Sequence, residues 1–225
     1  MINAWAGIKM GAKISREEDR RVLIIGASGF LGSKLFSALS VESDVIGTFF
    51  SRPALGLVYL NIQDKKQVSK LINKYNPHVI IACGGMMRPD ECEKNQKRAY
   101  DVNVKGMNNL VECSKGKIIY ISTDYVFSGE KGPYCEHDDP HPINYYGWTK
   151  YEAEKIVLKT DDNNLVLMVS GLYGYNERNN EFIETLIAKP VIYKADNCYS
   201  SNLFIDDVVN CINSFWNKSV RPLFV

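Results

Sequence analysis

Residues 22–32 read VLIIGASGFLG, an apolar run that leads directly into a glycine-rich turn and then a helical pattern. The glycines have the spacing of a dinucleotide-binding turn, in which each has its own task. Gly26 permits the tight turn, Gly29 lets the backbone approach a pyrophosphate, and Gly32 lets the helix pack closely on the strand. A glycine-rich turn without a nucleotide is the alternative. The position of the glycine turn at the first strand–helix junction favours dinucleotide binding, because phosphates bind at helix N-termini. The expected cofactor contacts of this turn are Gly26, Ser28, Gly29, Phe30, Leu31 and Gly32.

Strand-like and helix-like segments alternate along the rest of the chain. Predicted strands cover residues 22–25, 44–48, 78–83, 117–122 and 165–169, and predicted helices follow Gly29 and cover about 64–75, 95–114 and 144–159. This alternation predicts an α/β fold, a Rossmann-like doubly wound parallel sheet with helices on both faces. Near-continuous apolar strands such as VIIAC at 79–83 are typical of central strands that are buried on both sides.

The pattern loosens after residue 170, where glycine and asparagine cluster over 171–180. Further helices are predicted at about 181–188 and 205–216, and residues 222–225 are similar to the start of a strand. We therefore expect a flexible leader at 1–20, a dinucleotide-binding Rossmann domain at 21–170 and a small C-terminal substrate-binding portion at 171–225. Trp216 and Phe215 are interpreted as core residues. The end at Val225 need not be the natural C-terminus.

Composition and charge exclude several classes of protein. The chain has 225 residues, of which 45% are hydrophobic and 24% charged, with a net charge of +1. These values are ordinary for a globular protein and provide no general attraction to nucleic acid or a membrane surface. No apolar run approaches the roughly 20 residues of a membrane span, and the first 20 residues lack a signal-peptide pattern. The six cysteines form no Cys-x-x-Cys pair, so we expect reduced, mostly buried thiols in a cytoplasmic protein.

The end of the second predicted strand indicates which dinucleotide binds. An NAD site usually has an acidic residue about 20 positions beyond the glycine turn, which binds the ribose 2′-hydroxyl. Here Ser51 and Arg52 stand in its place. A guanidinium binds a 2′-phosphate through charge-assisted hydrogen bonds. The sequence therefore predicts NADP(H), with a solvated loop charge at Arg52 as the alternative.

Residues 145–150 read YYGWTK and suggest proton-transfer chemistry. Tyr146 and Lys150 are four residues apart and share one helix face. An ammonium near the phenol lowers the pKa of Tyr146, which would then exchange a proton near neutral pH. Thr123, at the end of a predicted strand, is placed to bind a substrate oxygen. An incidental pair is the alternative, but the order of glycine turn, Ser-Thr and Tyr-x-x-x-Lys favours a catalytic site.

The stretch STDYVFSGEKGPYCEHDDPHPINYYGWTKYEAE at 122–154 resembles the extended short-chain dehydrogenase/reductases, and within them the dTDP-4-dehydrorhamnose reductase family. The segments VIIACGGMMRPDECE at 79–93 and AYDVNVKG at 99–106 add to a resemblance that covers about 22–225. It implies an NADPH-dependent reduction of the 4-keto group of a nucleotide-linked 6-deoxy sugar, in which Tyr146 is the proton donor. We expect no nucleic-acid or membrane partner, and a homodimer is compatible with the sequence.

The same resemblance implies roles for further residues. Lys150 would hold the nicotinamide ribose, and Thr123 would bind the keto oxygen. Asp124 and Tyr125 would line the sugar site together with Met87, which stands where the family has a threonine. The remaining cofactor contacts would be Asn61 and Ile62 near the adenine, Ala82, Cys83 and Gly84 beside the ribose and phosphates, and Asn103. The segment MVSGLYG at 168–174 lacks the arginine and tryptophan that the family often has there, so the identity of the sugar does not follow.

A second resemblance leads to a different hypothesis. The segments RPDECEKN at 88–95 and GTFFSRP at 47–53 are similar to the regulatory beta subunits of methionine adenosyltransferases. These have the same fold and bind NADP but act as partners of another enzyme. A sugar-nucleotide epimerase or dehydratase that retains NAD is a third hypothesis, and Arg52 argues against it.

One loop contains several side chains of the metal-ligating types. They are Cys135, His137, Asp138, Asp139 and His141. The loop also matches the reductase family's Pro-Tyr-x-Glu-x-Asp-x-Pro-x-Pro stretch, which needs no metal. We therefore predict no metal site.

Overall fold

A computed structural model describes residues 20–175 and 200–216 of the chain, and its main feature is a six-stranded, all-parallel sheet. The strands are β1 (Arg21–Ile25), β2 (Asp44–Phe49), β3 (Val58–Tyr59), β4 (Val79–Ala82), β5 (Lys117–Thr123) and β6 (Leu165–Val169). Their order is β3-β2-β1-β4-β5-β6. The chain therefore adds strands on one side of β1 up to β3 and on the other side from β4 onward. The predicted Rossmann-like doubly wound sheet is confirmed, and its switch point lies beside the glycine-rich turn.

Seven α-helices lie among the described residues and cover both faces of the sheet. They are α1 (Phe30–Leu39), α2 (Lys65–Tyr75), α3 (Pro89–Lys94), α4 (Gln96–Tyr100), α5 (Gly106–Cys113), α6 (Tyr145–Thr160) and α7 (Ile205–Phe215). Helices α1 and α7 pack on one face, and α2, α5 and α6 pack on the other. Strand β1 shows why its sequence is continuously apolar: Val22 and Ile24 face one layer, while Leu23 and Ile25 face the other.

The helix starts follow local sequence signals. Asp64 caps α2 by accepting hydrogen bonds from the backbone N–H groups of Lys66 and Gln67, at 2.9 and 3.2 Å. Asn144 caps α6 in the same way through the N–H of Gly147, at 2.8 Å. Helix α1 starts after Gly29 with neither a side-chain cap nor an acidic residue in its first turn. Its N-terminal end therefore keeps the positive potential that attracts an anion.

The continuous helix predicted over 95–114 is interrupted in the structure. A π-helical turn at Asp101–Lys105 separates α4 from α5, and the short α3 precedes them. Within this turn, the Asn103 amide bonds to the backbone of Met86 and to the Thr149 hydroxyl. Widened turns of this kind are frequent at functional sites. The interruption could not be predicted from helical periodicity, because it accompanies contacts of Asn103 with residues that are distant in the sequence.

The described C-terminal residues pack against the main sheet. Strands β7 (Leu172–Tyr173) and β8 (Leu203–Phe204) form a small parallel pair. Helix α7 joins the core beside α1, and Lys34 pairs with Asp206 at 3.0 Å. Trp216 is buried there, as predicted, and Phe215 packs partly buried against the same core. The predicted leader up to residue 19, the helix at 181–188 and the strand at 222–225 lie outside the described residues. No described helix has the length and apolar character to cross a membrane.

Candidate active site

The turn after β1 is a close-packed cradle that only glycine can form. Gly26 has φ = +81°, a left-handed conformation that side chains disfavour. A Cβ atom on Gly26 would lie 2.8 Å from the Cα of Gly84, in the loop after β4. A Cβ on Gly32 would lie 2.2 Å from the carbonyl oxygen of Gly26. The loops after β1 and β4 therefore touch at the switch point of the sheet, with the start of α1 beside them.

This cradle fits the pyrophosphate of a dinucleotide. Thr48 on β2 fixes the turn, because its hydroxyl accepts the Gly26 N–H and donates to the carbonyl of Ile24, both at 3.2 Å. The Gly29 N–H donates to the Gly26 carbonyl at 2.9 Å, which completes the turn. The rigid backbone and the uncapped N-terminus of α1 together form a surface for phosphate oxygens that needs no side-chain ligand.

The residues expected around the adenosine end follow β2 and β3 at the same edge of the sheet. Ser51 and Arg52 are exposed just beyond β2, so the guanidinium can reach a ligand in solution. The side-chain oxygen of Asn61 accepts the Gln63 N–H at 3.1 Å and shapes the turn after β3. The Ile62 side chain packs against Gly106, where a Cβ would lie 2.7 Å from its Cδ1.

The loop after β4 connects the cradle to α6 through Asn103. Ala82 is buried at the end of β4, and the Cys83 N–H donates to the Ile25 carbonyl at 3.0 Å. Asn103 then accepts the Met86 N–H at 2.8 Å and donates to Thr149 at 3.0 Å. The Asn103 side chain thus links this loop to α6 through hydrogen bonds. Sequence analysis placed Asn103 near the cofactor but did not identify this bracing role.

The three predicted catalytic residues meet where β5 ends and α6 begins. Thr123, Tyr146 and Lys150 are all buried. The Tyr146 phenol lies close enough to the Thr123 hydroxyl for that hydroxyl to lower its pKa. Lys150 donates from Nζ to the carbonyl oxygen of Ile121 at 2.6 Å, and its Nζ lies 4.1 Å from the centroid of the Tyr120 ring. The paired hydroxyls and the ammonium therefore lie along the last residues of one strand.

The pKa of Tyr146 differs from the expectation. Burial raises the pKa of the phenol to about 12, and the hydrogen bond with Thr123 opposes this only in part. The predicted lowering by Lys150 is wrong, because Nζ is bonded to the backbone of β5 and not to the phenol. Burial lowers the pKa of Lys150 to about 8, which Glu154 opposes. Burial also raises the pKa of the Cys83 thiol to about 12, as expected for a packed small side chain and not for a reactive thiol.

The residues expected to contact substrate lie in the loops after β4 and β5. Tyr125 is exposed, and its ring meets the Tyr146 ring edge-on with centroids 5.6 Å apart. Met87 is also exposed. Asp124 accepts hydrogen bonds from the hydroxyls of Thr123, at 3.1 Å, and Ser170, at 2.6 Å. Its carboxylate is therefore held beside the Thr123 hydroxyl.

Three residues of this site had no role assigned from the sequence. Ser170 links the end of β6 to Asp124, and only the sheet order brings them together. Gly147 lets α6 approach the turn after β5, since a Cβ there would lie 2.0 Å from the Tyr125 carbonyl oxygen. Glu154 is buried one helical turn beyond Lys150. The four-residue spacing was a signal for Glu154, whereas nothing in the local sequence indicates the other two contacts.

Other candidate sites lie outside this region. Within residues 20–175 and 200–216, no group of three or more His, Cys, Asp or Glu side chains could hold a metal ion. Cys135 in that loop is exposed, which differs from the expectation of mostly buried thiols, while Cys92 is buried. An open cavity of about 420 Å³ lies beside α3 and α4 and includes none of the predicted site residues. It is lined by Gln63, Lys94, Asn95, Gln96, Lys97, Arg98 and Asp101.

Comparison with known proteins places this geometry in a family. Residues 20–192 match the family described as the RmlD substrate binding domain. Methionine adenosyltransferase 2 subunit beta of Xenopus laevis is 38% identical over 173 residues, which are 75% of this chain and 52% of that protein. The dTDP-4-dehydrorhamnose reductase of Aggregatibacter actinomycetemcomitans is 35% identical over 173 residues, 74% of this chain and 56% of that protein. The chain thus spans about half the length of these curated relatives.

A solved structure shows the same relationship. The dTDP-4-dehydrorhamnose reductase of Bacillus anthracis, crystallised in complex with NADP, has a TM-score of 0.78 and is 31% identical. The match covers 92% of this chain and 74% of that one. Both resemblances inferred from the sequence are confirmed by these relatives.

Proposed function

The chain belongs to the RmlD substrate binding domain family, and on that premise we propose that it is an NADPH-dependent reductase of a nucleotide-linked 4-keto-6-deoxy sugar. The observation that carries the proposal is the buried hydroxyl pair of Tyr146 and Thr123 on the same sheet edge as the glycine cradle. On this proposal Tyr146 is the proton donor and Thr123 the carbonyl-binding hydroxyl, beside the proposed dinucleotide site. This arrangement suits reduction of a carbonyl group.

NADP(H) is the proposed cofactor. The cradle around Gly26 and Gly32 leaves room for backbone–phosphate contact and none for a side chain. Arg52 is exposed beyond β2, where a 2′-phosphate requires a cation. The Bacillus anthracis reductase, crystallised with NADP, supports the same cofactor.

The protein's own groups complete the reaction that the cofactor begins. When bound, NADPH supplies a hydride to the carbonyl carbon of the sugar. Tyr146 donates its phenolic proton to the carbonyl oxygen, on which negative charge develops. The raised pKa of Tyr146, about 12, keeps that proton on the phenol at neutral pH until the oxygen becomes basic enough to take it. Thr123 orients the oxygen, and Lys150 contributes positive charge at the expected position of the nicotinamide ribose.

The direct test is to mix the protein with NADPH and a panel of dTDP-linked 4-keto-6-deoxy sugars and to follow the loss of NADPH absorbance. We expect oxidation with at least one member of the panel, and formation of the corresponding 4-hydroxy sugar. Tight binding of NADP with no turnover on any sugar would contradict a reductase.

A regulatory NADP-binding subunit is the second candidate function. It is favoured by the 38% identity with methionine adenosyltransferase 2 subunit beta of Xenopus laevis. In that case the protein binds NADP without turnover and assembles with a methionine adenosyltransferase. Analytical ultracentrifugation of the two proteins with and without NADP distinguishes the candidates. A stable complex, together with no NADPH oxidation on any sugar of the panel, would favour the regulatory subunit over the reductase.

Arg52 tests the choice of cofactor. In Arg52→Gln we expect the affinity for NADPH to fall about 10- to 100-fold, which corresponds to the loss of one or two charge-assisted hydrogen bonds. The affinity for NADH should hardly change, since it lacks the 2′-phosphate. Isothermal titration with both cofactors measures the difference.

The matched control for this experiment is Lys159→Gln. Lys159 is an exposed cation in the last turn of α6, away from the edge at which α6 and α1 begin. We expect no change in affinity for either cofactor. Equal losses for NADH and NADPH in Arg52→Gln would contradict 2′-phosphate recognition, and tighter binding of NAD than of NADP by the unmodified protein would favour an epimerase or dehydratase.

A further inference from the structure

Glu154 is a buried carboxylate for which the proposed reaction has no use. Glu154 lies in α6 and is 6% exposed. Carboxylates are seldom buried without a partner, because desolvation disfavours their charged form. Here the hydroxyl of Ser122 on β5 donates a hydrogen bond to the carboxylate. Ala153 and Val157, also in α6, are fully buried in the core between the helices and the sheet.

Lys150 is buried in the same interface, one helical turn before Glu154. Its Nζ donates to the Ile121 carbonyl at 2.6 Å and lies over the Tyr120 ring. Neither contact neutralises an ammonium charge. Residues four apart on a helix lie on one face, so α6 presents both side chains to the last residues of β5, Lys150 at Ile121 and Glu154 at Ser122. Each favours the ionised form of the other.

We propose that Glu154 is a positioning residue for Lys150, whose ammonium it keeps charged and directed along the end of β5. The inference rests on the proposed function, because the ammonium is expected to meet the nicotinamide ribose there. Ser122 supports the arrangement by fixing the carboxylate through its hydroxyl. Glu154 touches neither cofactor nor substrate in this role and acts only through Lys150.

The other groups that face Lys150 cannot replace Glu154 as the counter-charge. Cys83, after β4, is neutral near pH 7, because burial raises the pKa of its thiol to about 12. Tyr120, on β5, is also neutral, because burial raises its pKa well above the usual value. Tyr146, which precedes Lys150 by one turn, has a pKa of about 12. Burial raises the pKa of Glu154 to about 7, so among these described neighbours it is the group that carries negative charge near pH 8, where Lys150 titrates.

The sign of the expected pH effect follows from this arrangement. Burial lowers the pKa of Lys150 to about 8, and Glu154 opposes that lowering. Removing the carboxylate therefore lowers the pKa of Lys150 further. The charged ammonium is present below that pKa and is lost above it, so any step that needs the ammonium should fail at lower pH in the variant than in the unmodified protein.

The test is the isosteric variant Glu154→Gln, with Glu152→Gln as its matched control. Glu152 is in the same helix, but its carboxylate pairs with Lys155 at the surface. Nuclear magnetic resonance titration of lysine labelled at Cε reports the midpoint of Lys150 directly, with Lys150→Arg used to assign its signal. We expect the midpoint to fall by about one pH unit or more in Glu154→Gln, and to stay in place in Glu152→Gln.

NADPH binding across pH is the second readout. The alkaline loss of affinity should move to lower pH in Glu154→Gln by the same interval as the Lys150 midpoint, while affinity at acid pH stays unchanged. Glu154→Asp, which retains a carboxylate, should restore most of the shift. A uniform loss of affinity at every pH would indicate only a structural role and would overturn the inference.

The two proposals fail in distinguishable ways. A Lys150 midpoint that is identical in Glu154→Gln and the unmodified protein overturns the inference even if NADPH binds and reacts. Absence of NADPH binding by the unmodified protein overturns the proposed function but leaves the Lys150 titration measurable. If Glu154→Gln does not fold, titration of the unmodified protein still tests the inference. The signals of the Glu154 carboxyl carbon and of Lys150 Cε must then each change at the titration midpoints of both groups. Independent single-step titrations would refute the coupling.

Discussion

Tyr146→Phe should reduce the rate of NADPH oxidation by about 10²- to 10⁴-fold, the range typical for removal of a general acid. The substitution deletes only the phenolic oxygen, which lies near the Thr123 hydroxyl. The ring should keep its place, because it packs against Cys92 and Ala99, which are fully buried. NADPH affinity should therefore hardly change, and the loss should lie in kcat. Steady-state kinetics together with cofactor titration measures both quantities.

Tyr145→Phe is the matched control, since it makes the same chemical change at the adjacent position. The Tyr145 ring packs beside Trp148, with centroids 5.2 Å apart, and has no contact with Thr123 among its described interactions. We expect its kcat to equal that of the unmodified protein. Undiminished turnover in Tyr146→Phe, or an equal loss in both variants, would show that the phenol of Tyr146 is not the proton donor.

Gly32→Ala should both destabilise the fold and weaken the binding of the cofactor. The new Cβ would lie 2.2 Å from the Gly26 carbonyl oxygen and 2.9 Å from its carbonyl carbon, and both are backbone atoms that cannot rotate away. Relief requires α1 to move away from β1, which we expect to lower the free energy of unfolding by roughly 3 kcal/mol, as in an overpacked core. The same movement opens the cradle, so NADPH affinity should fall by more than about tenfold. Chemical denaturation and cofactor titration measure the two effects.

Ser37→Ala provides the comparison within the same helix. Ser37 lies on the exposed side of α1, so an alanine there introduces no new contact with the glycine turn. We expect stability within about 0.5 kcal/mol of the unmodified protein, and normal NADPH affinity. If Gly32→Ala melts like Ser37→Ala and binds NADPH normally, the close packing at Gly32 is not what shapes the cradle.

The pH profile of the reaction provides a further check. Its alkaline decline should lie near pH 8, where Lys150 loses its charge, and not near the much higher pKa of Tyr146. This expectation replaces the earlier one of a tyrosine tuned to neutrality. Spacing along a helix showed that the phenol and the ammonium share a face, but it could not show that Nζ bonds to the Ile121 carbonyl. Nor could it show that burial dominates the pKa of the phenol.

The fold could be predicted from the sequence because its signals are local. Apolar strands such as VIIAC, the glycine turn at 26–32 and the capping residues Asp64 and Asn144 each act within a few residues of chain. The two-residue β3 is too short to produce a periodic pattern, and the sequence analysis missed it. The interrupted helix at 95–114 was missed for a different reason, since Asn103 bonds to Met86 and Thr149, which are distant in the sequence.

The amino-acid sequence by itself determined the order of strands and helices, the glycine turn, and the four-residue spacing of Tyr146 and Lys150, because these depend on backbone conformation and short-range periodicity. Only the tertiary structure decided which groups surround the reacting hydroxyls. Asp124 meets Ser170, and Glu154 meets Ser122, because parallel strands bring their carboxyl ends to one edge and α6 packs across β5. Burial in that interface then sets the charge states, since desolvation depends on the packed neighbours of a residue and not on its position along the chain.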